Sequence, residues 1–459
     1  LQLFLPLFTV RRLPWPNSAI VRKSPCKGRK FPYALFKKSD DLRIQATDLP
    51  GTFMKLKDIE TFIVGNPPPG YGGRYFMFVK ITTDNGIVGY GEIYAASVGP
   101  KVQCAAAEDL FQRHCLGMKP SDIERLFRRF HSSGFSQRPD PTVMGAFSAI
   151  EMACWDIVGK ALDRPVYELI GGLVNPRVRS YTYLYPNETQ DPATFYNDPD
   201  LSAERAIEYA DQGFTALKFD PAGPYTVNDP HQPAMVDLER SEKFCKAIRE
   251  AVGTRADLLF GTHGQFTTSG AIRMAQRLAP YEPLWFEEPT PPEMPEEMAK
   301  VAAASKVPIA TGERLTTKYE FARVLSTGAA SILQPALGRV GGIWEAKKIA
   351  AIAETHYAQV APHLYCGPIE ALANIQFAAS TPNFLILESI QQFGGFHEEL
   401  LDRKIEWEEG YVIPSKRPGL GYELNEDVAR ANPYEGDRLH LEMQDEPYNY
   451  ASENRFAGG

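Results

Sequence analysis

The chain has 459 residues, 44% hydrophobic and 23% charged, with a formal net charge of −8. This is ordinary composition for a folded globular protein, and the negative balance argues against nucleic acid as the default partner. No run of about 18 or more apolar residues marks a membrane-spanning helix, and the six scattered cysteines, without a CxxC pair, read as reduced thiols of a cytoplasm-like compartment.

Residues 1–53 stand apart. They carry ten Lys and Arg against three Asp and Glu, so the remainder holds −15. This stretch reads as a basic leader or upstream segment rather than part of the fold, and Met54 opens the folded sequence. From 54 to 100, DIETFIV and RYFMFVKITT flank the loop PPPGYGG, and DNG precedes IVGYGEI. That punctuation predicts an antiparallel meander. Residues 101–170 have helical periodicity, and GAFSAIEMACWDIVGKAL is apolar on nearly every side, which predicts a buried helix.

From 171 to 400 short apolar runs alternate with amphipathic helical stretches. The strand candidates are VRSYTYLY, TALKFD, DLLFGT, LWFEEP, PIATGE, ASILQPA, YAQVAPH and FLILES. Eight such alternations predict a (β/α)8 TIM-type barrel with an α+β capping domain at residues 54–170. An open doubly wound sheet is the alternative, but no GxGxxG opens the first unit. Residues 401–445 read as a return to the cap, and 446–459 as a tail.

Active sites of such barrels lie at the C-terminal strand ends. Those ends offer Lys218 and Asp220, then His263, Glu287–Glu288, Glu313–Arg314, Gln334 to Ala336, His363 and Glu388. Carboxylates packed in one mouth repel unless a cation sits among them, and oxygen donors suit Mg2+.

The motifs SAIEMACWDIVGKAL, LWFEEP, ATGERL, GRVGGI and APHLYCGPIEALA resemble the enolase superfamily, in its mandelate racemase/muconate lactonizing enzyme branch, and most nearly its acid-sugar dehydratases. The resemblance implies three carboxylates at the ends of strands 3, 4 and 5 holding Mg2+. Glu287 and Glu313 match two of them. Gly261 stands where the third is expected, and Asp220, one strand away, is the candidate replacement; its other reading is a helix cap or a loop salt bridge. By the same resemblance His363 is the base that removes a proton α to a carboxylate, and His263 the acid for the departing hydroxyl. Lys218 is a second base or a carboxylate anchor, or else only neutralises Asp220. Glu388 stabilises the enediolate. The Asp expected to orient His363 is replaced by Ala336.

The function this implies is dehydration of an aldonic or aldaric acid to a 2-keto-3-deoxy acid. Racemisation or cycloisomerisation on the same scaffold is one rival, and a barrel that has lost its chemistry and only binds is another. The expected partner is a small-molecule carboxylate, in a cytoplasmic homo-oligomer. PPPGYGG, residues 134–142 and the insertion 221–235 are the candidate pocket-shaping loops.

Overall fold

The meander forms as a three-stranded antiparallel sheet of β1 (Leu56–Gly65), β2 (Tyr75–Thr83) and β3 (Val88–Ile93), with β2 central. The computed structural model describes residues 54–450 apart from 95, 96, 136, 137 and 139. The leader, residues 451–459 and part of the 134–142 loop lie outside the described residues. β2 is apolar on both faces because both are covered. Tyr75, Met77, Val79 and Ile81 join one core, while Phe76 and Phe78 join a second, larger one.

Three helices complete this region, α1 (Pro100–His114), α2 (Ile123–Ser132) and α3 (Pro141–Leu162). Asp140 starts α3 by accepting from the Thr142 and Val143 N–H groups at 2.8 and 3.0 Å, and Pro141 occupies the first turn, where a missing N–H costs nothing. α3 is long and apolar enough to cross a bilayer, yet 83% of its most apolar window is buried inside the fold. It is a core helix. Its backbone lies directly on β3: a Cβ at Gly91 would stand 1.8 Å from the Ala149 carbonyl oxygen. Only a residue without a side chain permits that approach.

The eight remaining strand candidates form parallel strands that follow one another in chain order: β4 (Val178–Tyr183), β5 (Ala216–Phe219), β6 (Asp257–Phe260), β7 (Trp285–Glu287), β8 (Ile309–Thr311), β9 (Ile332–Leu333), β10 (Gln359–Val360) and β11 (Leu387–Ser389). Each of β4 to β9 pairs with the next, and β11 pairs with β4. Helices intervene between successive strands, as parallel pairing requires.

Two cap carboxylates tie the regions together by serving helix starts elsewhere in the chain. Glu151 of α3 accepts from the Ile343 and Trp344 N–H groups, both at 2.8 Å, at the start of α4 (Gly342–Glu354). Glu92 of β3 accepts from Gly367 and Glu370 at 2.6 and 2.9 Å, at the start of α5 (Pro368–Ala379). Carboxylates suit these positive helix ends.

The region after 400 divides its contacts. The hairpin of β12 (Trp407–Glu408) and β13 (Tyr411–Val412) adds antiparallel to β4 of the main sheet. Only the later stretch reaches the cap, where Val64 bridges Pro433 and Lys80 meets Glu426 at 2.6 Å. Two-residue strands carry no pattern that names their partner. Residues 439–450, for which the sequence has no regular period, run along the pocket-shaping loops. Val227 donates to the Gln444 carbonyl at 2.9 Å, and His231 stacks on Tyr448 at 4.1 Å.

Candidate active site

Side chains alternate across a strand, so residues two apart share a face. One small core holds a single residue from each of the eight parallel runs: Tyr181, Ala216, Leu259, Trp285, Ala310, Ile332, Ala361 and Ile386. Two residues further along each run stand Tyr183, Lys218, Gly261, Glu287, Gly312, Gln334, His363 and Glu388. The apolar layer is thus followed, toward the strand ends, by one that carries most of the predicted chemistry. Asp220 and His263 lie one further step along β5 and β6.

Within the polar layer the residues pair specifically. The Lys218 ammonium donates to Glu287 Oε1 at 2.6 Å and meets Glu388 Oε1 at 3.5 Å, with the Tyr183 ring 4.9 Å away. Glu287 Oε2 accepts from Trp285 Nε1 and from Gln334 Nε2, both at 2.9 Å. Glu388 Oε2 accepts from the Leu364 N–H at 2.8 Å. Lys218 and Glu287 are fully buried, so burial opposes the lysine's charge, but Glu287 and Glu388 outweigh it and hold its pKa well above the usual value. Burial pushes Glu388 up to about 7.

The two histidines occupy opposite electrostatic settings. His263 Nδ1 lies 3.0 Å from Asp220 Oδ2, an ion-pair distance, although the angle is not that of a hydrogen bond. Burial works against its charge, but the Asp220 carboxylate prevails and raises its pKa to about 9, so it is protonated at neutral pH. His363 is the reverse: burial, reinforced by the Lys218 ammonium, holds it well below 6.5 and therefore neutral. Its Nε2 lies 3.4 Å from Glu313 Oε2 and its ring packs on Tyr94 at 5.3 Å. Glu313, rather than a strand-6 carboxylate, is what faces the ring; Ala336 contributes only a backbone bridge to His363.

A cavity of about 540 Å3 opens beside this layer, bounded by His263, Glu313, Arg314, Arg339, Tyr94 and Tyr225. Tyr225, from the 221–235 insertion, packs on the His263 ring at 4.6 Å. His363 does not line the cavity, but Glu313 and Tyr94, which it touches, do. Leu439 and Met443 close another part of its wall. His440 fastens that segment, one ring nitrogen 2.9 Å from the Tyr75 carbonyl and the other 2.9 Å from that of Tyr365.

Sequence reasoning assigned no role to four residues that the structure makes central. Arg314 makes a forked contact to Glu288, 3.0 Å to each oxygen, and donates to the His263 carbonyl at 2.9 Å. Arg339 donates to the Glu313 carbonyl at 3.1 Å and lies over Tyr94 at 4.3 Å. Gln334 and Trp285 hold Glu287. Period two within each strand was the available signal for Trp285 and Gln334; Arg339 sits in a short helix beyond its strand and gave none.

Comparison with known proteins decides the family. Residues 71–171 match the mandelate racemase/muconate lactonizing enzyme N-terminal domain, and residues 202–428 match the enolase C-terminal domain-like family. The chain belongs to the mandelate racemase/muconate lactonizing enzyme branch of the enolase superfamily. Among relatives of this branch, a D-xylonate dehydratase of Haloferax volcanii is 33% identical over 391 residues, covering 84% of this chain and 90% of that protein. A D-galactonate dehydratase of Ralstonia pickettii is 34% identical, covering 81% and 93%. A solved structure described as a putative mandelate racemase/muconate lactonizing enzyme from Labrenzia alexandrii is 64% identical, with a TM-score of 0.84 over 86% of this chain and 99% of that one. This family member is an enzyme, and its dehydratase relatives place it among the hydro-lyases.

Membership of the branch generally implies a divalent metal ion. Asp220, Glu287 and Glu313, the residues matched to that role, are not brought together as a donor set: among the described residues no group of three His, Cys, Asp or Glu is placed to hold a metal. Asp220 faces His263, both oxygens of Glu287 take N–H donors, and Glu313 faces His363. The Gly261 position offers no ligand atom. The donor set of this site does not fit a three-carboxylate metal centre.

Proposed function

We propose that this enzyme dehydrates a sugar acid, an aldonate or aldarate, by removing the proton α to its carboxylate and expelling the β-hydroxyl as water, to give a 2-keto-3-deoxy acid. The observation that carries the reading is the pair of histidines held in opposite charge states in successive layers of the strand ends. A neutral histidine accepts a proton and a protonated one delivers it. In this reading His363 is the base. The enediolate that forms is stabilised by cations and by a hydrogen bond from Glu388, which, raised to about 7, carries a proton in about half of the molecules at neutral pH. The β-oxygen takes the His263 proton as its bond to carbon breaks, and the enol rearranges to the 2-keto acid. Arg339, on the cavity wall, is the donor for the substrate carboxylate, since its fork suits a planar anion.

This chemistry sits on a sheet that we read as a closed (β/α)8 barrel. The Val360–Phe384 bridge, the Leu385 N–H donating to Val360 at 2.8 Å and the eight-strand apolar layer support closure. Magnesium is the ion the resemblance implies, but no step above passes through it, because the residues matched to it are engaged otherwise. We place the enzyme in the cytoplasm, a compartment that suits its five described cysteines, all buried and free. Its partner is a small-molecule carboxylate, and we propose that it works as a homo-oligomer.

The test is an NMR screen in D2O against a library of aldonic and aldaric acids. A 2-keto-3-deoxy product establishes the dehydratase and identifies its substrate. Deuterium entering the α-position without loss of water assigns racemisation instead, and no change with any acid refutes the reading.

A further inference from the structure

Gly261 and Lys218 form one device. Gly261 lies on β6's line of side chains, between Lys218 on β5 and Glu287 on β7, in the same layer. A Cβ built at Gly261 would stand 3.2 Å from Lys218 Cε and 3.2 Å from the Tyr183 hydroxyl. The space above β6 is therefore filled by the lysine's own methylene chain, which crosses it to place the ammonium 2.6 Å from Glu287. A side chain at 261, and above all a carboxylate, would meet that chain or displace it. A side chain at 261 and the Lys218–Glu287 pair as it stands thus compete for one space.

Much of the charge around it is offset by the protein's own cations. Five carboxylates meet at this mouth: Asp220, Glu287, Glu288, Glu313 and Glu388. Asp220 faces His263, Glu288 faces Arg314, and Glu287 and Glu388 share Lys218. Glu313 faces the neutral His363, yet against burial the charges of His263, Lys218, Arg314 and Arg339 hold its carboxyl below the usual range. A cluster of carboxylates needs a cation only while its charge is uncompensated.

We infer that the Lys218 ammonium is the resident cation of this site, standing over Gly261 in place of a divalent metal, and that the enzyme binds no such metal at Glu287 and Glu313. The inference rests on reading this layer as the catalytic centre, and it assigns Lys218 a positioning role: it fixes Glu287 and Glu388 and supplies positive charge beneath the enediolate, rather than taking the α-proton itself.

The test is made on the full chain after dialysis against EDTA. Mn2+ is titrated in and free Mn2+ is followed by its electron paramagnetic resonance signal, a readout that needs no substrate. The expected result is no stoichiometric uptake up to about 1 mM metal. Uptake of one Mn2+ per chain with a Kd below about 1 mM overturns the inference. The second arm is the double variant Gly261→Asp with Lys218→Met, which removes the ammonium and returns the carboxylate. It should bind Mn2+ at least about tenfold more tightly than the parent. A folded double variant that binds no better counts against Lys218 as occupant, and should it fail to fold, the parent titration decides. The two readings fail separately. A chain that takes up no Mn2+ and turns over no sugar acid keeps this inference and loses the dehydratase reading, whereas a sugar-acid dehydratase that takes up Mn2+ does the opposite.

Discussion

Asp220→Asn isolates the pairing that sets the charge of His263. In the native site the Asp220 carboxylate, 3.0 Å from Nδ1, raises the imidazole to about 9. Removing that charge returns the group to the ordinary histidine value of about 6.5 or lower, a change of roughly 2.5 units or about 3 kcal/mol. The sign follows from the acid role proposed for His263. His263 must be protonated to deliver its proton, so the native rate holds at neutral pH and falls as pH rises through about 9. Near pH 8 about nine-tenths of the native sites carry the proton, against about three in a hundred in the variant, so kcat/KM should fall about 30-fold. Near pH 6 the same arithmetic gives less than about a twofold loss. The assay is the pH profile of kcat/KM with the acid that the screen identifies. An alkaline limb that stays near pH 9 in the variant refutes the Asp220–His263 pairing as the source of the acid. An equal loss at every pH would instead assign Asp220 a role independent of proton transfer.

Other outcomes follow from the same geometry. His363→Asn should slow exchange of the substrate α-proton with D2O by about a thousandfold, with the circular dichroism spectrum unchanged; retained exchange, read by NMR, would transfer the base role to another group. Gly91→Ala places a Cβ 1.8 Å from the Ala149 carbonyl, and since neither backbone can yield cheaply, the thermal midpoint should drop by the equivalent of about 3 kcal/mol. An unchanged midpoint would mean that α3 does not rest on β3 as described. His440→Ala unfastens residues 439–443 from the Tyr75 and Tyr365 carbonyls and should raise KM about tenfold with a smaller change in kcat, measured by steady-state kinetics.

Much of this layer of strand ends was legible in the sequence, for a definite reason. A short apolar run that ends in a polar residue shows where a strand leaves the core, and Lys218, His263, Glu287, Glu313, His363 and Glu388 were all found at such ends. What those ends do to one another was not legible. Asp220 read as a substitute ligand because a missing carboxylate at 261 and a new one at 220 look like an exchange along the chain. In space Asp220 stands one step beyond Gly261 and faces His263, while the vacancy is filled by Lys218. Linear spacing gives the layer of each residue but not the direction in which a long side chain leans. Residues 401–445 read as a return to the cap, but the place of 439–443 on the cavity wall was not legible: the segment has no regular order of buried side chains, and its position is visible only through contacts such as those of His440 with Tyr75 and Tyr365.

The part of the wall supplied by Leu439 and Met443 has a temporal consequence. All eight parallel strands precede it in the chain, so on the ribosome the sheet and its layer of charged strand ends are synthesised before the segment that completes the cavity. At the roughly 5–20 residues per second of translation, the interval between β11 and Met443 is a few seconds. The wall is complete only when His440 reaches the Tyr75 and Tyr365 carbonyls. The order of synthesis makes this stretch of cavity wall the last part of the pocket to be made.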